Sequence, residues 1–203
     1  MLFKQIKAVG DNFTYVIADP ESREAAVVDP SFNVKPIIRI LEENRLKLKY
    51  IICTHHHFDH TAEVDFFKTR FGAKVVAHKL SAIEKDIEVE DGSVIEVGSI
   101  KINVIHTPGH TEDSICLLFD NKLLTGDTLF VGGCGRTDLP GGDTEKLYQS
   151  LYNKILKLED SVEIYPGHDY GPTPSSTIGL EKSCNPSLRQ KSIEDFLTFL
   201  NSL

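Results

Sequence analysis

The string "YIICTHHHFDH" (residues 50–60) constrains this chain more than any other stretch. Tyr50-Ile51-Ile52-Cys53 is an apolar, β-branched run of the kind that forms a buried strand. It runs directly into His55, His56, His57, Asp59 and His60. In an extended segment side chains alternate faces, so His55 and His57 point one way and His56 the other. Asp59 and His60 fall where the chain must turn before a helix expected from Thr61. Neutral imidazole suits zinc or iron, and a carboxylate can bridge two cations.

The same arrangement recurs further along. The chain has eight histidines: His55, His56, His57, His60, His78, His106, His110 and His168. His110 follows the β-prone run "IKINVIHTPG", His168 follows "VEIYPG", and Asp127 follows "KLLTG". Strand C-terminal ends are where sheet-based folds gather active sites. One histidine after a strand needs no more than a polar loop to explain it. H-x-H-x-D-H after an apolar strand, with three more ligand-type residues each ending a β-run, points to a metal site.

Hydrophobic periodicity supplies the frame. Strands are expected over 2–9, 13–19, 24–30, 49–54 and 73–78, separated by Gly-, Asn- and Pro-containing turns. Hairpins are expected over 93–107, turning at Gly98-Ser99, and over 114–127, turning at Asp120-Asn121. A last strand is expected within 161–170. Helices are expected over 34–46, with Ile37, Ile40 and Leu41 on one face, and over 61–72, with Val64, Phe67 and Phe71 on one face and Gly72 as the stop. A third spans 143–158, capped by Asp143, with Leu147, Leu151, Ile155 and Leu158 aligned. The chain closes on an amphipathic helix with Ser192 and Asp195 in capping-box spacing. This order predicts sheets in the middle and helices outside.

At 203 residues the chain fits one domain, 1–203, with a short C-terminal helical tail. That length buries enough surface to fold without disulfides. Its four cysteines, Cys53, Cys116, Cys134 and Cys184, are widely spaced, with no CxxC pair. They read as reduced thiols, each filling a small buried apolar place; Cys134, in a glycine-rich loop, is also a candidate for function. A net charge of −8 leaves no basic excess to replace the counterions of a nucleic acid. No apolar run approaches a membrane span. "MLFKQIKAVGDNF" has no signal-peptide core, so the expected location is the cytoplasm. A monomer or homodimer is expected.

"THHHFDH", "TPGHT", "LTGD" and "YPGHD" stand in the order of the metallo-β-lactamase superfamily motifs, and the chain resembles that superfamily over nearly its whole length. Within it the chain is similar to the glyoxalase II (hydroxyacylglutathione hydrolase) group. The resemblance implies an α+β fold, a four-layer αββα sandwich with metals in a groove at one edge. It implies two divalent ions, zinc or iron, with manganese as a further option. His55, His57 and His110 would hold the first, Asp59, His60 and His168 the second, and Asp127 would bridge them. An aspartate at the bridge and the absent signal peptide both count against antibiotic hydrolysis.

The resemblance implies a small thiol-derived substrate. Arg136 and Tyr170 match positions that contact glutathione in glyoxalase II relatives, and Cys134 lies beside them. The expected reaction is thioester hydrolysis, with Asp59 both binding metal and orienting the attacking water. Glyoxalase II enzymes add a helical extension for which this chain has no room, which leaves the thiol open. "CGRTD", "HDY" and "STIG" also resemble persulfide dioxygenases. Those keep the same ligand residues but use one non-haem Fe(II), held by the residues matching His55, His110 and Asp127. Gly167 departs from the alanine usual in them. Persulfide dioxygenation is therefore the alternative.

Overall fold

Alternation sorts the apolar residues into layers. Every residue of β2 (Phe13–Ala18) is buried; Phe13, Tyr15 and Ile17 go to one core, while Val16 and Ala18 go to another. A strand between two apolar layers has this pattern. The computed structural model describes residues 1–202 and builds them around two such sheets.

The first sheet is ordered β1 (Leu2–Lys7), β2, β3 (Glu24–Val28), β4 (Lys47–Ile52), β5 (Lys74–His78), β6 (Ile87–Val89). Its first three strands are antiparallel and the rest run parallel to β3. The second sheet begins at its edge with β7 (Val94–Val97), followed by β8 (Ile100–His106), β9 (Ile115–Phe119) and β10 (Lys122–Gly126). Next come β13 (Glu163–Pro166), parallel to β10, and β14 (Ser176–Thr177). A short ribbon, β11 (Leu129–Phe130) with β12 (Gly133–Cys134), stands apart.

Three apolar clusters hold the layers together. Ile17, Val28, Ile52, Ile102, Leu117 and Leu124 lie between the sheets. Against the outer face of the first sheet pack α1 (Val34–Glu43) through Ile37 and Leu41, and α3 (Val64–Phe71) through Val64 and Phe67. Leu147 and Leu151 of α4 (Thr144–Asn153), Ile178 of α5 (Ile178–Cys184) and Phe196 of α6 (Ile193–Leu200) cover the second sheet. The result is the four-layer αββα sandwich. Each fully buried side chain of this size stabilises the fold by about 1.5–3 kcal/mol.

Local chemistry explains the ends of these elements. Gly72 closes α3 at φ 67°, and its N–H bonds Lys68 O at 2.9 Å. Asp143 caps α4 by accepting from Lys146 N, and Ser192 caps α6 by accepting from Asp195 N. Asp120 and Asn121 turn the β9–β10 hairpin with φ 41° and 60°.

Several expectations are corrected. The helix expected over 61–72 is two pieces, α2 (Phe58–Thr61) and α3. The chain breaks at Ala62 and Glu63 because Glu63 N bonds Pro30 O (3.0 Å) in the loop after β3. Asp59 and His60 therefore sit in a helical turn rather than ahead of one. The helix expected over 143–158 stops at Asn153; a 3-10 turn, Ile155–Lys157, keeps Ile155 buried and leaves Leu158 beyond it. β6, β11, β12, β14 and α5 were not foreseen, being too short for periodicity to register. Cys184 is exposed and Cys134 half-buried, whereas Cys53 and Cys116 are buried; all four are free thiols.

Candidate metal centre

Strand ends from both sheets meet at one edge of the sandwich. Backbone bonds stitch that edge: Ile115 N to Thr54 O (2.9 Å), Phe13 N to Gly167 O (2.8 Å) and Asp169 N to Asp11 O (2.7 Å). They tie the loops after β1 and β4 in the first sheet to β9 and the loop after β13 in the second.

His55, His57 and His110 form one group. His57 Nδ1 lies 3.1 Å from His55 Nε2 and 3.0 Å from His110 Nε2. Tetrahedral bonds of about 2.0–2.1 Å to an ion put ligand nitrogens about 3.3 Å apart. The spacing therefore fits an ion's shell. The outer nitrogens have their own partners. His110 Nδ1 donates to Arg136 O at 2.8 Å, and His55 Nδ1 meets Thr54 Oγ1 at 3.1 Å. A carbonyl can only accept, so His110 carries its proton on Nδ1 and turns a bare Nε2 to the group. Gly109 allows this placement. Its φ is 143°, and a Cβ there would lie 2.3 Å from Leu147 N at the start of α4.

Asp59, His60 and His168 form the second group. His60 Nε2 is 3.2 Å from His168 Nε2, and Asp59 Oδ2 is 3.4 Å from each. The supports are carboxylates: Asp29 Oδ2 at 3.1 Å from His60 Nδ1, and Asp11 Oδ1 at 3.2 Å from His168 Nδ1. Asn12 Nδ2 donates to Asp59 Oδ2 at 2.9 Å.

Asp127 stands between the groups. Its Oδ2 is 3.5 Å from His110 Nε2 and 3.2 Å from His168 Nε2; its Oδ1 is 3.3 Å from His60 Nε2. Oδ1 is buried without a partner in hydrogen-bonding geometry. A buried carboxylate oxygen with no well-aligned donor costs free energy even with His60 Nε2 3.3 Å away, and a cation beside it offsets that cost. The donor set and this oxygen fit divalent ions.

The electrostatics divide the same way. Burial, then His60, hold His55 well below the ordinary imidazole range, and burial with His110 lowers His57. These rings are neutral, as ligation requires. Burial opposes the charge on His60, but Asp127 and Asp29 outweigh it and raise His60. Burial likewise opposes charge on His168, which Asp127 raises. Asp127, despite burial, is held well below the usual carboxylate range by His60 and His168. Asp127 is the carboxylate around which His60, His110 and His168 gather.

Asp29, His55 and His60 also offer atoms within 4.8 Å of one another. Asp29 is nonetheless spent on support: Oδ1 accepts from Thr54 N (2.7 Å) and Oδ2 from Thr54 Oγ1 (2.6 Å). Sequence reasoning missed Asp29, Asp11, Asn12 and Thr54. Asp29 closes the β-run "EAAVVDP" just as Asp127 closes "KLLTG", and that parallel was its one signal. Asp11 and Asn12 read only as turn residues. His56 behaves as alternation predicts, turning away to bond Asp113 Oδ1 at 2.7 Å.

Arg136, Tyr170 and Cys134 line a cleft of about 320 Å³ that opens onto His110 and Asp127. Tyr170 stacks on His168 with ring centroids 4.8 Å apart and rings 2° from parallel. Partial burial, then the nearby carboxylates of Asp11 and Asp127, push its hydroxyl up to about 12. Arg136 forks its guanidinium onto Asp138, with both bonds at 2.6 Å. Its carbonyl, which sequence gave no reason to notice, fixes His110. Burial pushes the Cys134 thiol up to about 11, so Cys134 is a neutral part of the wall and no thiolate. A neighbouring groove, between residues 134–138 and Leu200, touches none of the candidate ligands.

An αββα sandwich with two facing ligand groups at its strand ends defines a metalloenzyme-type scaffold. The chain belongs to the metallo-β-lactamase superfamily, whose family model matches residues 8–85 and 80–168. It is 34% identical over 207 residues to the persulfide dioxygenase ETHE1, mitochondrial, of Homo sapiens, covering 100% of this chain and 81% of that one. It is 35% identical over 194 residues to the hydroxyacylglutathione hydrolase of Pelagibacter ubique (strain HTCC1062), covering 92% and 78%. A crystal structure of ETHE1 from Myxococcus xanthus matches with TM-score 0.95 at 35% identity, covering 99% of this chain and 90% of that one. Among the described residues no helix is long and apolar enough to cross a membrane.

Proposed function

We propose that this chain is a two-metal hydrolase of small thioesters. The observation that supports it most is the completeness of both ligand groups around Asp127, with a bare buried oxygen between them. Two divalent ions of zinc, iron or manganese held there would lower the pKa of a shared water and polarise the thioester carbonyl.

The chain's own residues do the rest. His55 and His110 offer Nε2 and His57 offers Nδ1; His60 and His168 offer Nε2. Asp59 is held by Asn12 on one oxygen and is partly open to solvent. It orients the attacking water and can accept its proton. The thiol part of the substrate lies in the cleft under Tyr170, whose hydroxyl donates to it. Arg136 exchanges Asp138 for a substrate carboxylate, keeping its planar fork occupied.

A second reading, persulfide dioxygenation with one Fe(II) on His55, His110 and Asp127, is favoured by one finding. The chain's likeness to proteins named persulfide dioxygenase runs end to end. Metal analysis of protein purified anaerobically separates the two. Two ions per chain are expected; one iron per chain would move the assignment to the second reading.

A further inference from the structure

Gly167 links β13 to His168, and its backbone is pinned from both sides. Its N–H donates to Gly126 O and its carbonyl accepts from Phe13 N, each at 2.8 Å. Its φ lies outside the left-handed region, so the backbone there would accept any residue. Space is what demands glycine. A Cβ would lie 2.3 Å from Asp127 Oδ1, 2.8 Å from His60 Cε1 and 3.1 Å from Gly126 C. The first of these atoms is the bare oxygen, and the second belongs to a ring of the second group. None of the three belongs to His55, His57 or His110.

We infer that Gly167 keeps the second ion's seat open, and that any side chain at this position turns a two-ion centre into a one-ion centre. The inference rests on the two-metal reading above. An ordinary contact begins at 3.4 Å, so a methyl group would drive Asp127 Oδ1 back by about 1 Å. Metal–ligand distances tolerate only about 0.2 Å. The pinned backbone cannot retreat to share the shift, because doing so would break two strand-end hydrogen bonds. Asp127 and His60 must move instead, and the second group loses two of its inward atoms. The first group keeps its three nitrogens.

The test compares wild type with Gly167→Ala. Both are stripped with chelator and titrated with Co(II), and bound metal is counted by mass spectrometry. Wild type should saturate at two ions per chain. Gly167→Ala should saturate at one, with second-site affinity down at least about 100-fold and first-site affinity reduced far less, because Asp127 reaches the first group through its other oxygen, Oδ2. His168→Ala, which removes a second-group ligand without crowding, should give the same one-ion result. Thermal melts of the metal-free proteins report folding. Two ions bound by a folded Gly167→Ala chain would overturn the inference. So would loss of both ions or failure to fold, because the glycine would then serve the backbone and not one seat. A wild type that binds one ion would remove the two-metal reading itself, and the inference with it.

Discussion

Replacing Asp29 by asparagine should disable the second ion seat while leaving the fold intact. Asp29 sits at φ 49°, in a left-handed conformation that aspartate and asparagine both tolerate. The backbone therefore contributes no strain to the change. In wild type the carboxylate accepts from Thr54 N, Thr54 Oγ1 and His60 Nδ1 at 2.7, 2.6 and 3.1 Å. An asparagine keeps one acceptor, and the Thr54 backbone bond claims it. The amide N–H₂ then faces the Thr54 hydroxyl, which can reverse its role, and His60 Nδ1, which must become an acceptor. That moves the His60 proton to Nε2, the nitrogen that would otherwise face an ion. Losing a ligand's supporting partner costs about 10–100-fold in metal affinity, or about 1.4–2.7 kcal/mol. Three charge-assisted bonds become neutral, costing on the order of 1 kcal/mol each in stability. Zinc competition against a chromophoric chelator reads the affinity, and urea melts of the metal-free protein read the stability. Unchanged second-site affinity in a folded Asp29→Asn chain would refute the tautomer reasoning.

Other perturbations follow from the same geometry. Asp127→Ala should strip metal from both groups and abolish activity. His56→Ala should keep its metal, losing about 1–3 kcal/mol of stability as Asp113 loses a buried partner; equal metal loss in the two variants would contradict the ligand assignment. Arg136→Ala should raise KM more than it lowers kcat, because an anion anchor away from the reacting carbonyl contributes mainly uniform binding. Burial, then the stacked His106 ring 3.9 Å away, push His78 down to about 4. The unfolded imidazole takes up a proton that the folded one refuses, so stability should climb from pH 4 to about 6.5 and be complete above that. His78→Gln should flatten that climb in urea melts taken across the window.

The candidate ligand residues stood out in the sequence because their spacing carries the information, and the structure brings them together. Each closes a strong β-run, and in "THHHFDH" alternation alone separates His56 from His55 and His57. What supports those residues was not legible. Asp29, Asp11 and Asn12 reach the site by tertiary contacts, Asp11 across the two sheets, with partners 31, 157 and 47 positions away. No periodicity reports such contacts. Arg136 was legible as a cation, but its pairing with Asp138 two residues on required the loop's shape. The break between α2 and α3 was hidden for a similar reason: Pro30, which accepts from Glu63, lies far upstream. The helix period continues across the break while the backbone does not.

Hydrolysis takes its oxygen from water and dioxygenation from O₂, so oxygen dependence separates the two chemistries. Protein purified anaerobically with its own metal should be given a hydroxyacyl-glutathione thioester with and without O₂, and glutathione persulfide under an oxygen electrode. A two-metal hydrolase should cleave the thioester at the same rate in both atmospheres and show no persulfide-dependent oxygen uptake. Absence of thioester cleavage, together with oxygen consumed and sulfite formed from the persulfide, would contradict the hydrolase reading.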